Sequence, residues 1–515
     1  MHASRSTGFR AFALATVAGL ALSTAAVAQK PPPAGAPARP ALPTAKPPPL
    51  GAPMQARPAP TVPTPPPAAQ GPARPAPPPA AQAPTLPPAF AAPQVIPPNE
   101  PAAVTRLRAL FGDDTRLSYA SAQVLDGAGE QVRLTGVVLE KPGKRATMDE
   151  VTLNGLRADG VTEAVLRGFT TTEAGTTVRI AMLRLAGLTV QRDAPGTSPQ
   201  PEQVTLASLR MENLQASGAT TLRVGLVELE GWAAGKPARL AIEGLESSDF
   251  GGGAVDAVRI ARFAMSGLDA ARMMGALIRG EAVPSLVGRS SLEMLRMELL
   301  AGGRPVGGIA ETRIEADITA ANGSGSGTIA IRGIRVEPLP MIAEWLTRFG
   351  YQAIEGEITA ATAHDATAGR VEIRDLTIAA REAGTLTFSM NLDGLTPDRV
   401  QTMDYSQARL ISAALGYADA SLFRRFIAMQ AAQTRTPEAQ LREQFAAMAG
   451  GALSQPGAVA LDPIRDAVLS FIRGQAQSVQ IRMNPPQPIG MAEMQQVPPS
   501  PAEMQRVLGI SATAR

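Results

Sequence analysis

Val132-Arg133-Leu134-Thr135-Gly136-Val137 alternates apolar and polar residues and then closes on a glycine followed by an aliphatic residue. The phrase returns as Val151-Thr152-Leu153-Asn154-Gly155-Leu156, Met182-Leu183-Arg184-Leu185-Ala186-Gly187-Leu188 and Leu240-Ala241-Ile242-Glu243-Gly244-Leu245. It is found again as Ile260-Ala261-Arg262-Phe263-Ala264-Met265-Ser266-Gly267-Leu268, Ile329-Ala330-Ile331-Arg332-Gly333-Ile334 and Phe388-Ser389-Met390-Asn391-Leu392-Asp393-Gly394-Leu395. A period of two marks a strand with one buried and one wet face, so most of the chain is expected to form a long antiparallel ladder. The phrases are unevenly spaced. A fixed-period solenoid is therefore not expected, and the reading is repeated hairpins of variable turn length with the glycines as punctuation at strand ends.

Outward from the ladder, the N-terminus carries Arg5 and Arg10, an apolar run from Ala11 to Leu22, and Ala26-Val27-Ala28. That order reads as a signal peptide over residues 1–28, since a run of about a dozen apolar residues falls short of the roughly 20 that a spanning helix needs. Export to the periplasm or the exterior, with no transmembrane span after cleavage, is the expectation. The chain has no cysteine, so neither a disulfide nor a thiol-linked lipid is available. Residues 29–100 are almost wholly Pro and Ala and are expected to be a disordered linker biased toward extended polyproline II.

Residues 1–99 contain seven basic side chains and no acid, whereas the whole chain sums to +3, which leaves −4 for residues 100–515. The folded part is mildly acidic, and nucleic acid, which demands a concentrated basic face, is not an expected partner.

The fold class expected is α+β, predominantly β. A β-meander region over 101–268 is followed by a helix and a second β-meander region over 269–395, then by a mostly helical region with one late strand over 396–515. Met273, Met274, Leu277 and Ile278 recur at helical spacing and are expected to lie across the sheet as a lid. Met341, Ile342, Trp345, Leu346 and Phe349 mark a second helix. Beyond Thr396, Asp419, Thr436-Pro437, Asp462-Pro463 and Ser500-Pro501-Ala502-Glu503 each open a helix.

Catalytic constellations are not found in the sequence. His364, beside Asp365 in an expected hairpin turn, is the one histidine after signal removal, and a base or metal site needs convergent partners. No zinc-type cluster, nucleophile elbow or phosphate loop is present, so no catalytic residue, metal or other cofactor is expected. Apolar surface remains: Val178, Ile180, Met182 and Leu183, with Leu222, Val224, Leu226, Val227 and Leu229, form broad aliphatic faces. With Met273, Met274, Leu277 and Ile278 as a speculative apolar ligand face, such surfaces suit acyl chains.

The strand phrases Asp375-Leu376-Thr377-Ile378 and Gly384-Thr385-Leu386-Thr387-Phe388 resemble those of exported proteobacterial envelope proteins of the AsmA-like and YdgA-like kind. The run Ile481-Arg482-Met483-Asn484-Pro485-Pro486-Gln487-Pro488-Ile489 is similar to the ends of secreted alphaproteobacterial proteins of uncharacterised function. The resemblance implies a long β-rich body in the cell envelope. It carries over no functional residue, and the chain departs from AsmA in lacking a retained membrane helix. Two functions follow as expectations: a non-enzymatic envelope protein holding lipid or an outer-membrane client on an apolar β face, or a scaffold held at a distance by the Pro/Ala spacer. The sequence leaves the oligomeric state open.

Overall fold

A computed structural model describes residues 96, 98–111, 115–141, 143–192, 199–249, 254–281, 286–396, 399, 406–454, 458–494 and 500–515. The leader and nearly all of the Pro/Ala segment lie outside these residues, as do Gly251 to Gly253. The ladder opens with helix α1 (Ala102–Ala109), the short strands β1 (Arg116–Ser118) and β2 (Ser121–Val124), and β3 (Val132–Lys141), on which both short strands pair. A meander follows through β4 (Lys144–Leu156), β5 (Gly160–Glu173), β6 (Thr176–Val190), β7 (Val204–Ser217), β8 (Thr221–Trp232), β9 (Ala238–Ser248) and β10 (Ala257–Leu268). Helix α2 (Ala270–Arg279) intervenes. Then come β11 (Gly288–Ala301), β12 (Arg304–Ile318), β13 (Gly325–Val336), helix α3 (Pro340–Phe349), β14 (Ile354–Asp365), β15 (Arg370–Ala380) and β16 (Gly384–Asp393).

From β3 to β18 each strand pairs antiparallel with the next, without a break at Leu268 or Leu395. The segment after Thr396 is mixed. Its first described strand, β17 (Arg409–Asp419), lies in the region expected to be mostly helical. Helices α4 (Leu422–Thr434), α5 (Glu438–Ala452) and α6 (Asp462–Arg473) follow, then β18 (Ser478–Met483), β19 (Ile489–Gly490), a short α7 (Met491–Met494), α8 (Pro501–Leu508) and β20 (Ile510–Ala514). Strand β18 lies between β17 and β20. Among the described residues no helix is long and apolar enough to cross a membrane.

The repeated glycines stand at strand ends only in part: Gly155 and Gly267 are the next-to-last residues of β4 and β10 and Gly394 follows β16, whereas Gly136, Gly187, Gly244 and Gly333 lie inside strands. Gly136, Gly168, Gly244 and Gly333 sit inside β3, β5, β9 and β13 with positive φ, and Asn213, Arg296 and Asp375 take the same left-handed conformation in β7, β11 and β15. Every odd-numbered strand from β3 to β15 thus carries one left-handed residue. Gly155, Gly187, Gly231 and Gly267 form a second series in β4, β6, β8 and β10. From β3 to β13 the members of each series lie level with one another across the sheet, forming a seam, and the glycine positions leave little room for a side chain: a Cβ on Gly187 would lie 2.8 Å from the Ala207 Cβ, and one on Gly333 2.6 Å from the Ala310 Cβ. Asp375 lies off that level, opposite Ala360. The two interleaved series explain the uneven spacing in sequence.

At each seam the buried positions of both paired strands advance by three residues rather than two, the left-handed residue lying in one strand of the pair. Strand β7 buries Val204 and Leu206, then Leu209 and Met211, then Leu214 and Ala216; β8 buries Leu222 and Val224, then Val227 and Leu229, then Trp232. Leu206 faces Trp232, Leu209 faces Leu229 and Leu214 faces Val224, so both strands take the extra residue at the same level and the ladder never slips.

Helix α1 buries Ala103, Val104 and Leu107 and packs against β4. Arg106 donates to the Gly129 carbonyl, Arg108 to that of Leu117 and Arg192 to that of Ala109. Glu100 accepts from Arg108 at 2.7 Å and from the Tyr119 hydroxyl at 3.2 Å. The Arg108 hydrogen bond outweighs burial and holds the Glu100 carboxyl below the usual glutamate range. Such a group stabilises the fold at pH above its unfolded value, and the stabilisation is lost as pH falls through the depressed one. Glu100→Gln is therefore expected to cost about 2 kcal/mol at pH 7. Thermal midpoints of variant and parent should converge toward pH 3; a constant gap would show that the charge contributes nothing.

Candidate functional site

Directly paired residues build one cross-strand file on the inner face. Leu134, Val151, Leu166, Leu183, Met211, Val227 and Ile242 lead from β3 to β9. The file continues through Phe263, Met294, Thr312, Ile331, Ile358, Ile378, Leu386, Tyr417 and Val479 to β18. At about 4.8 Å per strand its contour is roughly 70 Å. The opposite face is charged: Glu150, Arg167, Met182, Glu212, Leu226, Glu243 and Arg262 pair in turn. Met182 and Leu226, read from sequence as part of the inner aliphatic faces, belong to this outer file, because the seams reverse their parity.

Coverage divides the inner file. From Leu134 to Ile242 no member is more than 8% exposed. Beyond β10, Ile378 is 40% and Leu386 37% exposed, as are Ile314 and Ile329 at 37% on the neighbouring file and Leu415 at 43%. The change coincides with the end of the second seam: β12 and β14 contain no residue of positive φ, and β16 has only Gly384, at its first position. Kinks add twist and curvature to the strand that carries them, and two per level curl a sheet more tightly than one.

Helices cover the far end. Leu461, at the mouth of α6, and Ile464 and Ala467 within it bury the inner side of β18 and β20 with Ile481, Ile510, Ala512 and Ala514. Phe471 meets Tyr417 edge-on with ring centroids 5.9 Å apart. Leu508 of α8 packs with Leu410 and Ile489. Tyr417 Oη donates to Asp419 at 2.7 Å, and burial, reinforced by that carboxylate, pushes its phenol pKa upward. Asp419 also accepts from the Phe423 amide and so caps α4. What remains is a trough of half-exposed aliphatic side chains from β10 to β17, about 34 Å along the file.

The sequence-derived face on α2 does not converge on that trough. Met274 is buried with Ala271, whereas Leu277 and Ile278 are exposed, and Met273 is half-buried. Asp269 fixes the helix by accepting from the Arg272 amide at 3.1 Å and the Gly235 amide at 2.7 Å, and Arg279 reaches Glu202 at 2.8 Å. This helix closes one end of the covered strands.

His364 lies within β14 rather than in a hairpin turn. Its Nδ1 is 3.3 Å from the Gly323 carbonyl and its Nε2 3.4 Å from that of Leu395, so whichever nitrogen carries the proton has a backbone carbonyl to donate to. Among the described residues no group of three His, Cys, Asp or Glu side chains is placed to hold a metal. A cleft at β13 to β15 gathers Arg335 and Arg381 on Glu355, at 2.5 and 2.9 Å. The Arg381 hydrogen bond leads in lowering the Glu355 pKa, and the cluster is an exposed ion-pair network.

A family model described only as an uncharacterized protein matches residues 377–515. The match takes in the end of β15, β16, β17 and the helical cover over β18 and β20. No curated protein matches the chain.

Proposed function

We propose that this chain is an exported, non-enzymatic envelope protein that holds acyl lipid in the trough between β10 and β17. The carrying observation is the inner file, which stays apolar from strand to strand apart from Thr312 and Tyr417 and is left half exposed between two covered ends. A long, narrow aliphatic surface backed by a charged outer face fits a linear hydrocarbon chain, since soluble proteins rarely leave such contiguous apolar surface bare without a ligand. The leader read over residues 1–28 would place it in the periplasm or outside the cell. The resemblance to AsmA-like and YdgA-like envelope proteins supports the same reading.

Native mass spectrometry and lipid extraction of the purified mature chain test the proposal. Acyl lipid copurifying in stoichiometric amount is expected. A lipid-free protein that also takes up no phosphatidylglycerol from vesicles would overturn it.

A further inference from the structure

One file of the charged outer face runs Glu246, Arg259, Glu298, Gly308, Arg335 and Glu355, each paired with the next across the strands from β9 to β14. Charge alternates along it except at Gly308, which leaves a gap between Glu298 and Arg335. The chain cannot fill that gap, because a Cβ on Gly308 would run into the Met297 carbonyl. A second cleft, of about 240 Å³, opens there and is lined by Arg296, Glu298, Gly308, Ala310, Arg335 and Glu337. Its carboxylates already have guanidinium partners, Glu298 in Arg259 at 3.4 Å and Glu337 in Arg335 at 3.6 Å. Arg296 has none: it is exposed and forms no ion pair or side-chain hydrogen bond with any described residue. It also holds φ 48°, a conformation that Gly244 and Gly333 supply at the same level in β9 and β13. A bulky residue kept where glycine is cheaper points to a use for its side chain.

We infer that this cleft binds a zwitterionic phosphate ester of the phosphoethanolamine kind, with phosphoryl oxygens accepting from Arg296 and Arg335 and the ammonium donating to Glu298 and Glu337. Two cations and two carboxylates line it, so a ligand of one sign is opposed by half of the lining, while one bearing both signs is matched. Guanidinium forks take phosphate oxygens in pairs, and two forks suit a group with more acceptors than a carboxylate offers. At roughly 30 Å³ for each water-sized group, the cleft accommodates about eight heavy atoms, the size of phosphoethanolamine. The same chemistry occurs in a free ester and in the headgroup of a membrane lipid. The cleft lies on the reverse of the trough, so this inference stands apart from the acyl-lipid reading, and its failure leaves that reading untouched.

The test is isothermal titration calorimetry of the full chain with phosphoethanolamine, glycerol 3-phosphate and soluble dihexanoylphosphatidylethanolamine. The parent should bind phosphoethanolamine about fivefold more tightly than glycerol 3-phosphate, the worth of one net hydrogen bond to the ammonium. Arg296→Gly should weaken phosphoethanolamine about tenfold while its thermal midpoint holds or rises, which separates loss of the ligand contact from loss of the fold. Glu298→Gln should bring the ratio of the two esters close to one. Binding of the short-chain lipid identifies a membrane headgroup as the source, and binding of the free ester alone identifies a soluble one. Binding of neither ethanolamine probe, equal affinity of the parent for phosphoethanolamine and glycerol 3-phosphate, or undiminished binding by Arg296→Gly would overturn the inference.

Discussion

Gly267→Ala is expected to destabilise the protein by about 2–5 kcal/mol, the sum of a left-handed backbone penalty of about 1–2 kcal/mol and the cost of overpacking. Gly267 has φ 78°, and a Cβ there would run into the Arg289 carbonyl and lie 2.7 Å from the Ser290 Cα. Both obstacles are backbone of β11, so no rotamer change relieves them. The opposite sign is expected where a strand takes the left-handed conformation at a residue other than glycine. Arg296 and Asp375 have φ of 48° and 49°, and replacing either with glycine removes the left-handed penalty while adding a smaller unfolded-state entropy cost, for a net gain of up to about 1 kcal/mol. Thermal midpoints measured for all three variants decide the matter. If Gly267→Ala were as stable as the parent, the seams would not be conformational requirements of the sheet.

The same seams show what the sequence discloses and what it hides. Alternation in Val132 to Leu134 and in Ile329 to Ile331 is a local property of a half-buried strand, and it reveals the ladder directly. The phase jump is not local in that sense. Leu226 and Val227 look like one apolar run until the Asn213 kink in the neighbouring strand puts Leu226 among glutamates and Val227 against Met211. The signal that would have disclosed it is the spacing of aliphatic residues by two, then three, then two, as in Val204, Leu206, Leu209 and Met211.

Strand β17 was hidden for a different reason. Its Leu, Ala and Arg residues favour helix by intrinsic propensity, and only the flanking edges of β16 and β18 make it a strand. The trough was partly legible: Ile378, Leu386 and Leu415 are obvious aliphatic positions. Which of them stay exposed depends on where the second seam ends, and that follows from pairing across many strands.

Placing opposite charges in the trough should abolish lipid retention without unfolding the sheet. Ile378 and Leu386 are direct cross-strand partners and are 40% and 37% exposed. Ile378→Glu combined with Leu386→Lys places a compatible ion pair on the surface, where each substitution costs the fold about 0.5 kcal/mol and the pair returns part of that. For a bound acyl chain the same pair is prohibitive, since two charged groups must be desolvated beneath hydrocarbon, and at least a tenfold loss of retained lipid is expected. Leu183→Glu provides the contrast. That residue occupies the covered half of the same file at 0% exposure, so a carboxylate there has neither water nor a partner, and the protein should fail to fold or lose more than about 4 kcal/mol. Lipid content by extraction and folding by circular dichroism separate the two effects: a double variant that stays folded and keeps its lipid would move the binding surface away from this face.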